Sequence, residues 1–295
     1  MNNKILFFII LIIIIIFYLL NNYLKVEKFL NNKICCFYAY YEKNELYRNN
    51  LKYFLDNGIL NNVDYYIIIN GKCSVNIPNK NNIIVFKKEN KGYDFGAYSF
   101  AIKILEKKKL ENYDYYFFIN SSVKGPYLKN KNIIWTDKFI ELFKNNVKIV
   151  GTSINIYPIN KLTHYNLNKI YSKEIPFTHI QSMFFCIDKE YYHYLKKINF
   201  FNEDEMNNAP DFNYIIAHKE IGLSQIALKN GWNINSILSR FKNINYLNIK
   251  SDFNTTSKKG DPYYPKAYFG NNIDKNEVIF YKINRNIDNT INFVS

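Results

Sequence analysis

The chain has 295 residues, 48% of them hydrophobic and 18% aromatic, which is enough apolar material for one large domain or two small ones. A formal charge of +14 raises nucleic acid as a partner, yet only Arg48, Arg240 and Arg285 are arginines, and the lysines are scattered through sequence rich in Asn, Ile, Tyr and Phe. Such usage is what an AT-rich gene encodes, so no nucleic-acid partner is expected. The cysteines, Cys35, Cys36, Cys73 and Cys186, include no C-x-x-C pair, which argues against a disulfide framework and structural zinc and predicts free thiols.

Residues 1–3 form a short tail, and residues 5–20 are apolar throughout, with Lys4 before them and Asn21 after. The run is close to the roughly 17 to 25 residues that cross a bilayer. No small-residue cleavage site follows, and the consecutive isoleucines at 12–16 leave no polar face for a core helix. Residues 4–20 are therefore expected to be an uncleaved signal anchor of a single-pass membrane protein, with 21–32 as a short stem and 33–295 as the folded domain. Lys4 on one flank and Lys25, Lys28 and Lys33 on the other leave the side of the membrane open.

Within the domain, residues 34–41 predict a first strand and 45–57 a helix stopped by Gly58. Residues 63–70 and 82–87 predict the next two strands. Ala97, Phe100, Ala101, Ile104 and Leu105 follow helical spacing. Residues 113–119 then form a short, nearly unbroken apolar run, read as a strand buried on both faces, after which Asn120, Ser121 and Ser122 sit where it leaves the sheet. Further on, Thr136 is expected to cap a helix. Residues 147–156 predict a strand, 164–179 a loop, 181–187 a strand leading into a helix capped by Asp188, 219–230 a helix ended by Gly231, and 278–283 a last strand. Residues 254–260 are expected to be a mobile loop. Alternation of this kind predicts an α/β fold, a mostly parallel central sheet with flanking helices.

Chemistry is expected where strands end, because ligands of open α/β sheets bind outside the carboxyl ends of the strands. Between the third strand and its helix, residues 89–97 carry Asn90, Gly92, Asp94 and Gly96. The glycines permit a sharp turn and a close approach, the following helix offers free amides to an anion, and Asp94 can accept hydrogen bonds from sugar or ribose hydroxyls. The same stretch also reads as a structural βα turn with Asp94 as a helix cap.

Taken together, N-K-G-Y-D-F-G-A at 90–97, F-I-N-S-S-V-K-G-P at 118–126, H-I-Q-S-M-F-F at 179–185 and K-E-I-G-L-S-Q-I-A-L-K-N-G-W at 219–232 resemble the GT-A glycosyltransferases, in particular the rhamnan-synthesis F type and similar proteins of algae and large DNA viruses. The resemblance implies a GT-A-like nucleotide-diphospho-sugar transferase fold. It implies transfer of a sugar, hexosyltransferase fashion, from a nucleotide-diphosphate donor to a hydroxyl of a glycan or protein acceptor. Many members of the wider fold hold Mn²⁺ or Mg²⁺ on Asp-x-Asp at the end of the central strand; here Asn120, Ser121 and Ser122 stand there without a carboxylate. Three readings stand: a metal held by another carboxylate such as Asp94, neutralisation of the leaving diphosphate by cations such as Lys124, or lost activity in a protein that only binds sugar nucleotides or glycans. A nucleotidyltransferase is disfavoured, because no Gly-rich pyrophosphate loop accompanies the first strand.

Inverting transfer needs a base for the acceptor hydroxyl, normally Asp or Glu. Glu220 is the first candidate, its setting resembling the fold's acceptor-side acidic motif, although an acidic residue in a helix's first turn is also simply favourable there. Asp211 is the weaker candidate. His179 and Gln181 stand next to an apolar strand, where they face donor or acceptor or else satisfy loop backbone.

Overall fold

The computed structural model describes residues 7, 10–18, 32–105, 110–130, 132–158 and 176–284. The chain divides into two units, Met1–Lys33 and Ile34–Ser295. In the first, residues 10–18 are helical with exposed apolar side chains. Among the described residues no helix is long and apolar enough to cross a membrane. The anchor expected over 4–20 lies partly, and the stem over 21–32 almost wholly, outside the described residues.

The second unit begins with β1 (Ile34–Tyr40), α1 (Glu45–Asn57), β2 (Val63–Asn70), β3 (Ile83–Lys88), α2 (Tyr93–Leu105) and β4 (Tyr115–Asn120). There follow β5 (Val123–Lys124), α3 (Trp135–Ile140), β6 (Val147–Gly151), β7 (Ile154–Tyr157), β8 (Phe177–Ile180), β9 (Phe184–Asp188) and α4 (Lys189–Lys197). The remainder holds α5 (Glu203–Asn207), α6 (Phe212–Ile215), a wide π turn (Ile216–Ile221), α7 (Gly222–Lys229), β10 (Asn233–Ser236), α8 (Lys275–Val278) and β11 (Tyr281–Lys282). Seven strands form one sheet in the order β10-β6-β9-β4-β1-β2-β3. All neighbours are parallel except β9, which runs antiparallel to β4 and β6. The chain winds outward from β1 through β2 to β3, then crosses back to place β4 on the other side of β1. That reversal opens a crevice at the carboxyl ends of β1 and β4.

The central strands are buried on both faces, which is why β1 and β4 read as continuous apolar runs. Alternate residues of neighbouring strands meet in register, so Tyr66, Phe37, Phe118 and Phe185 form an aromatic row with ring centroids 5.1, 5.1 and 4.5 Å apart. Tyr98 of α2 stands edge-on to Phe118 at 5.0 Å. On the opposite face Phe54 of α1 lies 4.8 Å from Tyr38, and Trp135 lies 5.1 Å from Phe117. Each such pair adds about 0.5–1.5 kcal/mol beyond the area it buries. Cys35, Cys36 and Cys186 are buried, and all four cysteines are free thiols, as expected.

Several boundaries differ from the sequence reading, each for a tertiary reason. Thr136 does not cap α3: Trp135 already begins the helix, drawn into the core with its indole Nε1 donating to Gly58 O at 2.9 Å. The strand expected over 147–156 is two strands, because the chain leaves the main sheet at Gly151 and β7 pairs with β8 instead. Ile104 is exposed and Ile102 is buried, so α2 presents a face rotated from the expected one. Only Tyr281 and Lys282 of 278–283 form a strand, paired with β5. Most of the loop expected over 164–179 lies outside the described residues, and its end, 177–179, belongs to β8. The segment 254–260 is tied down by the buried Asn254, whose Nδ2 donates to Ala267 O at 2.8 Å. Asp188 caps α4 as predicted, accepting from Tyr191 N at 2.9 Å.

Candidate functional site

The crevice at the switch point is a cleft of about 550 Å³. The ends of β1, β2 and β4 supply Ala39, Tyr41, Asn70, Asn120, Ser121 and Ser122 to its lining, and the β3–α2 turn supplies Asn90, Tyr93 and Asp94. Lys43, Tyr47, Ser182, Met183, Phe212, Lys282 and Asn284 complete it.

The floor is a hydrogen-bonded turn. Asn120 Nδ2 donates to Asp94 Oδ2 at 2.9 Å, and Asn120 Oδ1 accepts from Ser122 N at 3.0 Å. Ser121 Oγ accepts from Tyr41 N at 3.3 Å, while the Ser121 carbonyl accepts from Asn50 Nδ2 of α1 at 2.8 Å. Asn120 and Ser121 therefore spend much of their capacity on fixing β4 against β1 and α2. What Asn120 and the serines, all lining the cleft, have left to offer is the second Nδ2 proton of Asn120 and the lone pairs of the hydroxyls. Beside them Asn70 is buried at the end of β2, and its Oδ1 has no partner.

Asp94 accepts from Phe95 N at 3.0 Å through Oδ1 and from Asn120 through Oδ2. Burial pushes its carboxyl up to about 6, the Asn120 amide opposing the rise and the nearby charge of Glu220 adding to it. The glycines flanking it serve packing. Gly92 has φ +74°, and a Cβ there would come within 2.9 Å of Met206 Cβ in α5; at Gly96 a Cβ would meet Lys91 O at 2.5 Å. Gly92 and Gly96 thus let the turn close against its neighbours and are not among the residues lining the cleft. Tyr93 continues the left-handed turn with φ +56°, a conformation that costs a non-glycine residue about 1–3 kcal/mol.

Glu220 is joined to the cleft through Ser182 and is not itself among the residues that line it. It does not open a helix: Asp211 caps α6 by accepting from Tyr214 N at 2.8 Å, and the helical run continues through the π turn that holds Glu220. Wide turns of this kind recur at functional sites. Favourable placement in a first helical turn therefore does not account for Glu220. Its Oε2 accepts from Ser182 N at 3.2 Å and from Ser182 Oγ, and Ser182 lines the cleft. Its Oε1 lies 3.8 Å from His179 Nε2. His179 is buried with Nδ1 2.7 Å from Phe177 O, and that burial holds it below its ordinary value against the opposing charge of Glu220. His179 thus stands behind Glu220. Gln181 is also buried, its Oε1 accepting from Ser153 Oγ at 2.6 Å where β6 gives way to β7.

The remaining candidates lie elsewhere. Asp211 is an exposed cap and does not line the cleft. Lys124 sits in β5 with its ammonium 4.9 Å over the Tyr53 ring, whereas the lysines that line the cleft are Lys43 and Lys282. Lys43 was open to inference, standing just beyond β1. Lys282 was not, because the pairing of β11 with β5 joins distant parts of the chain.

Among the described residues no three His, Cys, Asp or Glu side chains gather as a metal site requires. Among the described residues Asp94 is the only carboxylate lining the cleft, and both its oxygens already accept protein hydrogen bonds. These residues do not fit a preformed Mn²⁺ or Mg²⁺ site.

An α/β sheet with a polar cleft at its switch point, one carboxylate in the lining and a second held behind Ser182, is an arrangement suited to transferring a group between two bound molecules. Sequence comparison assigns the family. The family model of rhamnan synthesis protein F matches residues 67–260, more than half of the chain, and the chain belongs to that family. No curated protein sequence matches it. Among solved structures, it is similar to the mannosyltransferase PcManGT from Pyrobaculum calidifontis, in complex with GDP-Man and Mn²⁺, at 8% identity and a TM-score of 0.42, covering 74% of this chain and 61% of that one. A glycosyltransferase involved in glycosylation of the major capsid of PBCV-1 is similar at 16% identity and a TM-score of 0.34, over 63% of this chain and 74% of that one. The galactosyltransferase LgtC, in complex with donor and acceptor sugar analogs, gives 8% and 0.35 over 63% and 71%.

Proposed function

We propose that the chain transfers a sugar from a nucleotide-diphosphate donor to a hydroxyl of a glycan or protein acceptor. The donor lies across the ends of β1, β2 and β4, and Glu220 acts as the base. The observation that carries this reading is a pair of carboxylates bound to one cleft: Asp94, in its lining and tied to Asn120, and Glu220, tied to the lining residue Ser182. The acceptor oxygen attacks the anomeric carbon while the bond from that carbon to the diphosphate breaks. Its proton passes to Glu220, and the nucleoside diphosphate leaves. Asp94 accepts from hydroxyls of the donor. Lys43 and Lys282 supply the positive charge that stabilises the leaving diphosphate. No step here is routed through a metal; Mn²⁺ or Mg²⁺ that arrives with the diphosphate would find few ready protein ligands.

The test is turnover of a panel of UDP-, GDP- and dTDP-sugars, with and without Mn²⁺. Release of nucleoside diphosphate from at least one donor is expected. Nucleotide binding without turnover of any donor would instead identify a silent sugar-nucleotide-binding relative.

We also propose that residues 4–20 anchor the protein in a membrane, supported by their unbroken apolar sequence. The full-length chain is expected to stay in the membrane fraction after a carbonate wash. A chain beginning at residue 33 that stays equally bound would contradict this.

A further inference from the structure

The aromatic residues at the mouth of the cleft are arranged unlike those of the core. Tyr93 and Phe212 come from different elements, yet their rings lie 4.8 Å apart, tilted by 54°. They are 47% and 51% exposed, and both line the cleft. Two large apolar rings held together in water at the entrance of a polar cleft leave ligand-sized apolar surface uncovered. The backbone keeps them there: Tyr93 follows Gly92 in the left-handed region, so its ring is presented at the mouth while the next residue, Asp94, reaches Asn120.

We propose that the Tyr93–Phe212 pair is the acceptor subsite, a platform for the apolar face of a pyranose in a glycan acceptor. This deepens, and rests on, the reading of the cleft as a glycosyl-transfer site. A pyranose offers C–H bonds on one face and hydroxyls around its edge. The negative face of an aromatic ring attracts those polarised C–H groups, and Asn90, which lines the same cleft, can meet the hydroxyls. Location favours the acceptor over the donor. Phe212 opens the same helical run that carries Glu220 eight residues later, about 12 Å along a helix axis. A sugar on the pair therefore extends toward the base that must take its proton, whereas the strand ends that suit the nucleotide form the facing wall.

The experiment measures binding of methyl glucoside, galactoside, mannoside and rhamnoside to the full-length protein by saturation-transfer NMR, and binding of UDP, GDP and dTDP by calorimetry. Tyr93→Asn removes a ring while tolerating the left-handed backbone, and Phe212→Ala truncates a half-exposed ring. Each is expected to weaken glycoside binding about tenfold, and Phe212→Tyr to retain it, with nucleotide affinity unchanged throughout. The proposal is overturned if no glycoside binds the wild-type protein, if both folded variants bind glycosides as wild type does, or if they lose nucleotide affinity instead, which would make the pair a nucleobase platform. Donor turnover is scored separately, so failure of the transferase reading is distinguishable from failure of the platform.

Discussion

The two walls of the cleft are built on different principles. The strand-end wall is tied together by internal hydrogen bonds: Asp94, Asn120, Ser121 and Ser122 hold one another and are bolted to β1 and α1. The facing side has Ser182 tethered to Glu220 in a wide helical turn, Glu220 backed by a buried imidazole, and Phe212, whose half-exposed ring meets that of Tyr93 from the opposite side. One wall is organised before a ligand arrives, as suits a donor of fixed chemistry. The other offers a base and open apolar surface, as suits an acceptor that must approach and leave. Substitutions on the two walls are therefore expected to move different quantities.

The largest effect is expected at Glu220. Glu220→Gln should slow transfer by about 10²-fold or more, the usual scale of lost general-base catalysis, with donor affinity intact by calorimetry. Asp94→Ala comes next, weakening donor binding by about 10- to 100-fold, the scale of a lost hydrogen bond to a charged group; unchanged affinity in a folded variant would remove Asp94 from the donor site. The raised carboxyl of Asp94 makes a third, smaller effect. Its ionised form accepts hydrogen bonds, so affinity for an intact nucleotide sugar should be level above about pH 6 and fall below it by up to about tenfold per unit. Asp94→Asn should abolish that fall, and a fall that survives would place the titration elsewhere. The smallest effect is electrostatic: Lys43→Ala should weaken donor binding by about fivefold or less, more at low salt than at high, and Lys124→Ala by less than that. The reverse order would restore Lys124 as the diphosphate cation.

The walls also differ in how far the sequence disclosed them. β1, β2 and β4 are buried on both faces, so their apolar runs mark them directly, and Asn120, Ser121 and Ser122 follow as the residues at the end of β4, while Asp94 is marked by the glycine-bearing turn after β3. The same local reading assigned Gly92 and Gly96 to ligand approach, where the structure shows packing against α5 and the preceding turn. Glu220 was picked out, but its π turn was invisible, because nothing in a 3.6-residue periodicity announces an inserted residue. Tyr93 and Phe212 were hidden by abundance, two aromatics among 27 tyrosines and 24 phenylalanines. What marks them is exposure and, at Tyr93, a left-handed backbone, neither of which a single sequence carries. Lys282 enters the site only through the pairing of β11 with β5, a contact between distant parts of the chain.

The division of labour between the walls is tested most directly by measuring donor affinity and the transfer rate at saturating donor, side by side, in Asp94→Ala and Glu220→Gln. The expected result is a crossed pattern: weak donor binding in the first, and near-normal binding with slow transfer in the second. A Glu220→Gln protein that transfers at the wild-type rate would contradict the account, as would an Asp94→Ala protein that binds donor normally.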